Sequence, residues 1–403
     1  MVINVKKIDL ILPIPGSYPI NDHLTKEICK AFIENKIEAR LLSPPKNKDA
    51  PENFLNNLVG NHPDCTFSIN GILPDEEGRF LADLLKIPHI SYLINSPTNY
   101  FRLKNSPFTV IASNDLNTLI TFEEIGVKNS IFLPGAVSIP LKPPIPINKR
   151  SIDILMIPDF INPNAIHHHF ESTLPSPIVG LLESAAFSLL TDKETFLYRA
   201  FLEGYNHFSI KEMNEYKSTQ NLSLIHQLEM YARGKDQLEL LKSFEGMQVD
   251  LIITPGTKNQ WMNLLKDYSV TFRFHEISAF DRINSLIRES KIVLNSTPQI
   301  KKGSNGALFN TISEGAFSFH SQNPWLEEKY NEEKGAYFYP YFEPEKIRNK
   351  AKELLENETK LEEFALNGRE YLLKNDTWNQ RAKEFLAELP FVLSTIPEKI
   401  RMH

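Results

Sequence analysis

The chain has 403 residues, 41% of them hydrophobic and 23% charged, with 44 basic against 50 acidic side chains and a formal net charge of −6. That length exceeds one ordinary hydrophobic core and predicts two domains of roughly 150–200 residues. The slight acidic excess argues against nucleic acid or an anionic membrane as the main partner. The two cysteines, Cys29 and Cys65, have neither disulfide-framework nor metal-site spacing, so a cytoplasmic location is expected. The apolar run near the start is too short for a signal peptide and reads as a buried first strand. No stretch approaches the roughly 20 apolar residues that span a membrane, so no transmembrane segment is expected.

Taken in chain order, "IDLILPIP" (8–15) is a buried-strand run. Segment 21–36 places Leu24, Ile28, Ala31 and Phe32 at helical spacing, with Asn21 or Asp22 as its N-cap. Strands follow at 38–42, 64–70, 87–93, 108–113 and 130–135, separated by polar or helical segments. This alternation predicts βα units and a parallel sheet. "SIPLKPPIPINKR" (138–150) holds four prolines and reads as a stiff extended linker. The pattern restarts with a strand at 151–158. Residues from about 176 to 246 then read as nearly continuous helix, before strands at 249–256, 269–275, 291–295 and 316–320. Helices close the chain at 344–357, 360–374 and 377–389.

The expected fold class is therefore α/β, with two Rossmann-like, doubly wound parallel-sheet domains facing a cleft. The first covers 1–140, the linker 141–150, and the second 151–376, with a helical insertion at about 170–246. Ligands of such sheets bind outside the carboxyl ends of the strands, which puts the expected site between the domains.

The segment "GSNGALFNTISEGAF" (303–317) opens with glycine, continues as a helix expected at about 305–314, and closes on Gly315. A helix N-terminus offers N–H groups and positive potential to a phosphate, and glycines let the backbone approach it. Gly303, Ser304 and Asn305 would line such a site, with Lys301 and Lys302 supplying ammonium groups. The same stretch also reads as a solvated loop with two surface lysines. His275 and Glu276, in "FRFHEISAF", follow a strand where a base or sugar would lie; an ordinary loop is the alternative. After the first strand, Gly16 permits a tight turn. Asp22 or His23 can serve as a general base toward an acceptor hydroxyl, against the plainer role of Asp22 as a helix cap. The "HHH" at 167–169 does not predict a metal site, because adjacent helical residues point about 100° apart.

Three blocks carry a resemblance to a known family. "ESKIVLN" ends in Leu294 and Asn295, "GSNGALFNTISEGAFSF" is a glycine–helix–glycine block, and "NDTWNQRAKEFL" carries Thr377, Trp378 and Arg381. In this order they resemble group 1 glycosyltransferases of the GT-B fold, most closely the CgeB-like, spore-maturation type of branch. The resemblance covers about 249–390 well and the first half loosely, through "IGVKNSIFLPGAV". It implies transfer of a sugar from a nucleotide-diphosphate donor to an acceptor hydroxyl, the acceptor being a glycan, a protein or a small molecule. It also implies a donor-binding second domain, no metal or other cofactor, and a last helix (377–403) that packs back toward the first domain.

Departures from the family pattern stand beside it. The family's arginine falls on Ala307 and its glutamate on Asn310; in the wider superfamily, glutamates often occupy the positions of Lys302 and Asn310. The loop "PDFINPNAIHHHF", where relatives keep a basic pair, has neither Arg nor Lys. Asn310 can still hydrogen-bond a ribose hydroxyl. Glu314, one turn on and on the same helix face, can replace the missing acid unless it is simply a surface glutamate. These losses support an alternative reading, a catalytically impaired GT-B-shaped binding or scaffold protein.

Overall fold

The computed structural model describes residues 5–13, 19–44, 51–140, 142–207, 218–277 and 279–396. By its contacts the chain divides into two units, Met1–Ser138 with Asn375–His403, and Ile139–Lys374.

Unit 1 contains a six-stranded parallel sheet: β1 (Lys7–Ile11), β2 (Glu38–Leu42), β3 (Cys65–Ile69), β4 (His89–Leu93), β5 (Thr109–Ser113) and β6 (Ser130–Phe132), in spatial order β2-β1-β3-β4-β5-β6. Every residue of β4 and β5 is buried, which is why these strands read as continuous runs and not as alternating patterns. The helix Pro19–Glu34 sends Ile28, Ala31 and Phe32 into the same core. It begins earlier than the sequence suggested, so Asn21 and Asp22 lie in its first turn and do not cap it. Proline suits a first helical position because its missing N–H would have no partner there.

The end of the chain completes this core. Trp378, Ala382, Phe385, Leu389 and Leu393 project from the helix Trp378–Ser394 at helical spacing, and the Phe385 ring stacks on Phe32 at 5.8 Å. A capping box between Thr377 and Gln380 starts the helix, and the Trp378 N–H donates to the Val137 carbonyl at 2.9 Å. Beside it, the Arg381 guanidinium donates to Asp376 and Glu384.

Unit 2 carries a second parallel sheet: β7 (Ile152–Met156), β8 (Gln248–Ile253), β9 (Thr271–Glu276), β10 (Ser290–Asn295), β11 (Phe317–Ser321) and β12 (Ala336–Tyr339), in order β12-β11-β10-β7-β8-β9. Counted within the unit, this is the doubly wound order 6-5-4-1-2-3, and the direction of winding reverses between β7 and β10. Strand β12 was not expected from the sequence: it is four residues long, half-buried and followed by proline. Between β7 and β8 lie the helices Pro163–Thr173, Ser176–Thr191, Leu197–His207 and Ser218–Lys242, with a core of their own around Phe170, Leu181, Leu182, Phe201 and Leu228. Leu240, Leu241 and Phe244, from the end of the last of these helices and just beyond it, pack instead with the sheet core. That helix is thus the β7-to-β8 crossover extended beyond the sheet.

The end of the proline-rich stretch is held in place by hydrogen bonds. Ile147 is buried, and Arg150 donates from Nε to the Ile145 carbonyl at 2.8 Å and from Nη1 to the Ser290 carbonyl at 2.6 Å. Its last residues are therefore fastened to unit 2. Among the described residues, no helix is long and apolar enough to cross a membrane.

Among the described residues, each unit buries one neutral histidine. His89 lies between the Thr66 and Ser68 hydroxyls at 2.7 and 2.9 Å. His320 lies between the Ser321 carbonyl at 2.7 Å and the Thr297 hydroxyl at 3.2 Å. Burial pushes both rings down to about 4 from the usual 6.5. The unfolded chain therefore takes up protons before the fold does. Their stabilisation is complete above about pH 6.5 and is lost as pH falls toward 4, by up to about 1.4 kcal/mol per pH unit and ring. Urea midpoints measured between about pH 7 and pH 4.5 should fall accordingly; a flat profile would contradict this account.

Candidate functional site

The reversal of winding in unit 2 leaves a crevice outside the carboxyl ends of β7 and β10. The segment that follows β10, residues 296–306, is held from several directions. Ser296 donates to Asp236 Oδ2 at 2.6 Å, and Tyr339, at the end of β12, donates to the same oxygen at 2.7 Å. Burial raises the Asp236 carboxyl above its ordinary range, against the pull of those two hydroxyls and the Lys301 ammonium. Asn323, just past β11, donates to the carbonyls of Ile300 and Gly303 at 2.9 and 3.0 Å. The Thr297 N–H reaches Ser321 Oγ at 3.0 Å. A backbone so tied needs little ordering when a ligand arrives.

The glycine-rich turn itself is satisfied locally. Ser304 Oγ accepts from the Gly306 N–H, and Asn305 Oδ1 from the Ala307 N–H, both at 3.0 Å. Gly306 caps the helix at φ 89°, a left-handed conformation suited to glycine. The helix runs Ala307–Ser313, shorter than the expected 305–314 because the turn occupies its first residues. Two of the N–H groups expected to face a phosphate are thus already bonded. Of the two lysines, Lys301 is buried, whereas Lys302 has a side chain 40% exposed that meets Glu194 at 3.1 Å. The solvated pair read from the sequence is therefore one exposed and one interior lysine.

The other expected residues are distributed as follows. Asn295 ends β10 and braces the sheet, with Nδ2 donating to Thr311 Oγ1 at 3.1 Å and Ser318 Oγ at 2.9 Å. Asn310 donates to Asn284 Oδ1 at 3.0 Å. Glu314 is buried and accepts from Arg288 Nε at 2.8 Å, so it is not the surface glutamate that its position suggested. His275 and Glu276 are the last residues of edge strand β9, not a loop. His275 Nε2 lies 2.6 Å from Asp250 Oδ1, and Glu276 accepts from the Gly256 N–H at 2.6 Å. Asp22 and His23 belong to the first helix of unit 1, where Asp22 pairs with Lys26 at 2.6 Å. Gly16 lies outside the described residues.

Sequence reasoning missed Asp236, Ser296, Asn323 and Tyr339, and also Arg233, which meets Asp159 in the loop after β7. The helical spacing of Arg233 and Asp236 was the one available signal. Among the described residues, no group of three or more His, Cys, Asp or Glu is placed to hold a metal ion. His167 instead pairs with Glu183 at 2.6 Å and stacks on Tyr231.

Residues 234–387 match the family model described as glycosyl transferase-like. No curated protein matches the sequence. Among solved structures, sucrose-phosphate synthase from Thermosynechococcus elongatus is similar at 10% identity, with 97% of this chain and 100% of that one covered and a TM-score of 0.53. A glycosyltransferase from Rickettsia africae is similar at 10% identity, with 97% and 99% covered and a TM-score of 0.53. Anabaena HepE, solved in complex with UDP and glucose, is similar at 11% identity, with 96% and 99% covered and a TM-score of 0.50. The fold is GT-B. The family match and the GT-B fold support an enzyme of the glycosyltransferase kind. In this GT-B chain the matched segment contains the whole loop after β10, the helix Ala307–Ser313 and Asp236.

Proposed function

We propose that the protein moves a sugar from a nucleoside-diphosphate donor to an acceptor hydroxyl, without a divalent metal, in the cytoplasm. Within the glycosyltransferases we place it in the CgeB-like branch, on the blocks at 289–295, 303–319 and 375–386. The observation that carries the reading is the preorganised loop 296–306 beside the point of reversed winding, with the Lys302 ammonium at its exposed side. There Lys302 meets the diphosphate and helps it leave as negative charge develops. Asn310 holds the ribose as a neutral partner. In unit 1, Asp22 or His23 takes the acceptor proton. UDP-hexoses are the first donors to try, because HepE was solved with UDP and glucose. The buried free thiols of Cys29 and Cys65 suit a reducing compartment.

A second reading has specific support. Ala307 and Asn310 replace an arginine and a glutamate of the family pattern, and Glu314, the acid one turn on, is committed to Arg288. A chain altered in this way can bind a nucleotide sugar without turning it over. Thermal shift with UDP-, GDP-, ADP- and CMP-sugars tests the shared part of both readings. A ligand at 100 times its Kd should stabilise by about 2.7 kcal/mol. No shift with any of them would defeat both; a shift without turnover would favour the second.

Lys302→Ala is expected to weaken donor binding by about 1.5–3 kcal/mol, the worth of a hydrogen bond to a charged group, at nearly unchanged stability. The exposed pair with Glu194 contributes little to the fold. Calorimetry that finds wild-type affinity would remove this loop from the site.

A further inference from the structure

The helix Ser218–Lys242 carries one stripe of side chains that changes character along its length. Leu240 and, just past the helix, Phe244 lie in the sheet core. Followed back in steps of three and four, the same stripe holds Gln237, Asp236, Arg233 and Glu229. Although this stretch is polar, three of its four side chains are buried and Arg233 is only partly exposed. Glu229, Asp236 and Gln237 are 4%, 2% and 3% exposed.

The row is fastened to both sides of the reversal. Arg233 donates to Asp159 in the loop after β7, and Asp236 accepts from Ser296 in the loop after β10. Gly234 permits the close approach, since a Cβ there would lie 2.8 Å from Ile161 Cγ2 and 3.0 Å from Pro163 Cδ. Asp159 is largely exposed, so the row opens to solvent at that end.

Three buried atoms of the row have no hydrogen-bond partner among the described residues: Glu229 Oε2, Arg233 Nε and Gln237 Oε1. Buried polar atoms are rarely left so, and three on one stripe point to a ligand that supplies the missing partners. Their chemistry selects its class. Two are acceptors, one of them a carboxylate, which would repel a phosphate. The third is a guanidinium donor, which disfavours a metal cation. A hydroxyl donates one bond and accepts others, so a set of neighbouring hydroxyls satisfies all three.

We propose that this row recognises the hexose hydroxyls of the donor, while the loop 296–306 serves the nucleotide diphosphate. The inference rests on the glycosyltransferase reading above and adds the part of unit 2 that tells a sugar nucleotide from a bare nucleotide.

Calorimetry on the full chain with UDP-glucose and GDP-mannose, and with UDP and GDP as sugar-free probes, tests it. Gln237→Met keeps the side-chain length and removes Oε1; Glu229→Gln keeps the shape and removes the charge. Each should raise the Kd of the sugar nucleotide that wild type binds by about tenfold, equivalent to about 1.4 kcal/mol, and leave the Kd of the matching nucleotide within about twofold. Unchanged binding of both would show that water fills the row and would overturn the proposal. Equal weakening of both would make the row a structural support and overturn it as well. In either case wild-type binding would leave the glycosyltransferase reading standing. A wild type that binds none of the four probes would overturn the proposal, while the glycosyltransferase reading would fall only if the ADP- and CMP-sugars of the thermal-shift panel failed as well.

Discussion

Arg381→Leu is expected to destabilise the protein by about 3–5 kcal/mol, measured by urea unfolding. Arg381 and Asp376 form an ion pair with side chains 5% and 2% exposed, and Arg381 Nη1 also donates to Glu384 at 2.9 Å. The pair stands at the entry of the helix that places Phe385, Leu389 and Leu393 in the core of unit 1. With the guanidinium gone, the Asp376 carboxylate stays buried without its main countercharge, and that penalty exceeds anything the pair itself contributes. The double variant Asp376→Leu with Arg381→Leu should therefore recover much of the loss, because no isolated charge remains. A single variant within about 1 kcal/mol of wild type would mean that water reaches the carboxylate.

Gly315→Ala should lose about 2–5 kcal/mol. Gly315 ends the helix Ala307–Ser313 at φ 82°, a conformation that costs other L-residues roughly 1–2 kcal/mol. Its added Cβ would also lie 2.5 Å from Pro144 Cβ and 3.1 Å from Arg150 Nη2, and overpacking of this kind adds about 1–3 kcal/mol. Gly246→Ala is the matched control, with φ 77° and nothing within 4 Å of the new atom. It should show the conformational part alone. Equal losses in the two variants would remove the contact with Pro144 and Arg150 from the account.

Central strands such as β10 were legible because a strand buried on both faces is a nearly continuous apolar run; edge strand β2 coincides with the segment expected at 38–42 although none of its residues is buried. β12 was not legible, since four half-buried residues leave no run to see. In the site, the loop 301–306 and the helix after it could be found from glycine spacing, but the division of labour between Lys301 and Lys302 could not. Adjacent residues in a loop have no fixed direction until Asn323 and Asp236 fix the backbone around them.

The sequence by itself determined the two rounds of βα alternation, the helical segment between β7 and β8, and the glycine-bounded helix of the candidate site. Each follows from local periodicity or from a conformation that glycine adopts readily. Only the tertiary structure decided that Glu314 meets Arg288, that His275 meets Asp250, and that the polar stripe from Glu229 to Gln237 is buried. The physical reason is common to all three. Periodicity says which residues share a face, but not what covers that face. A helix stripe of Glu, Arg, Asp and Gln reads as a solvated surface until the sheet beneath it is seen to end.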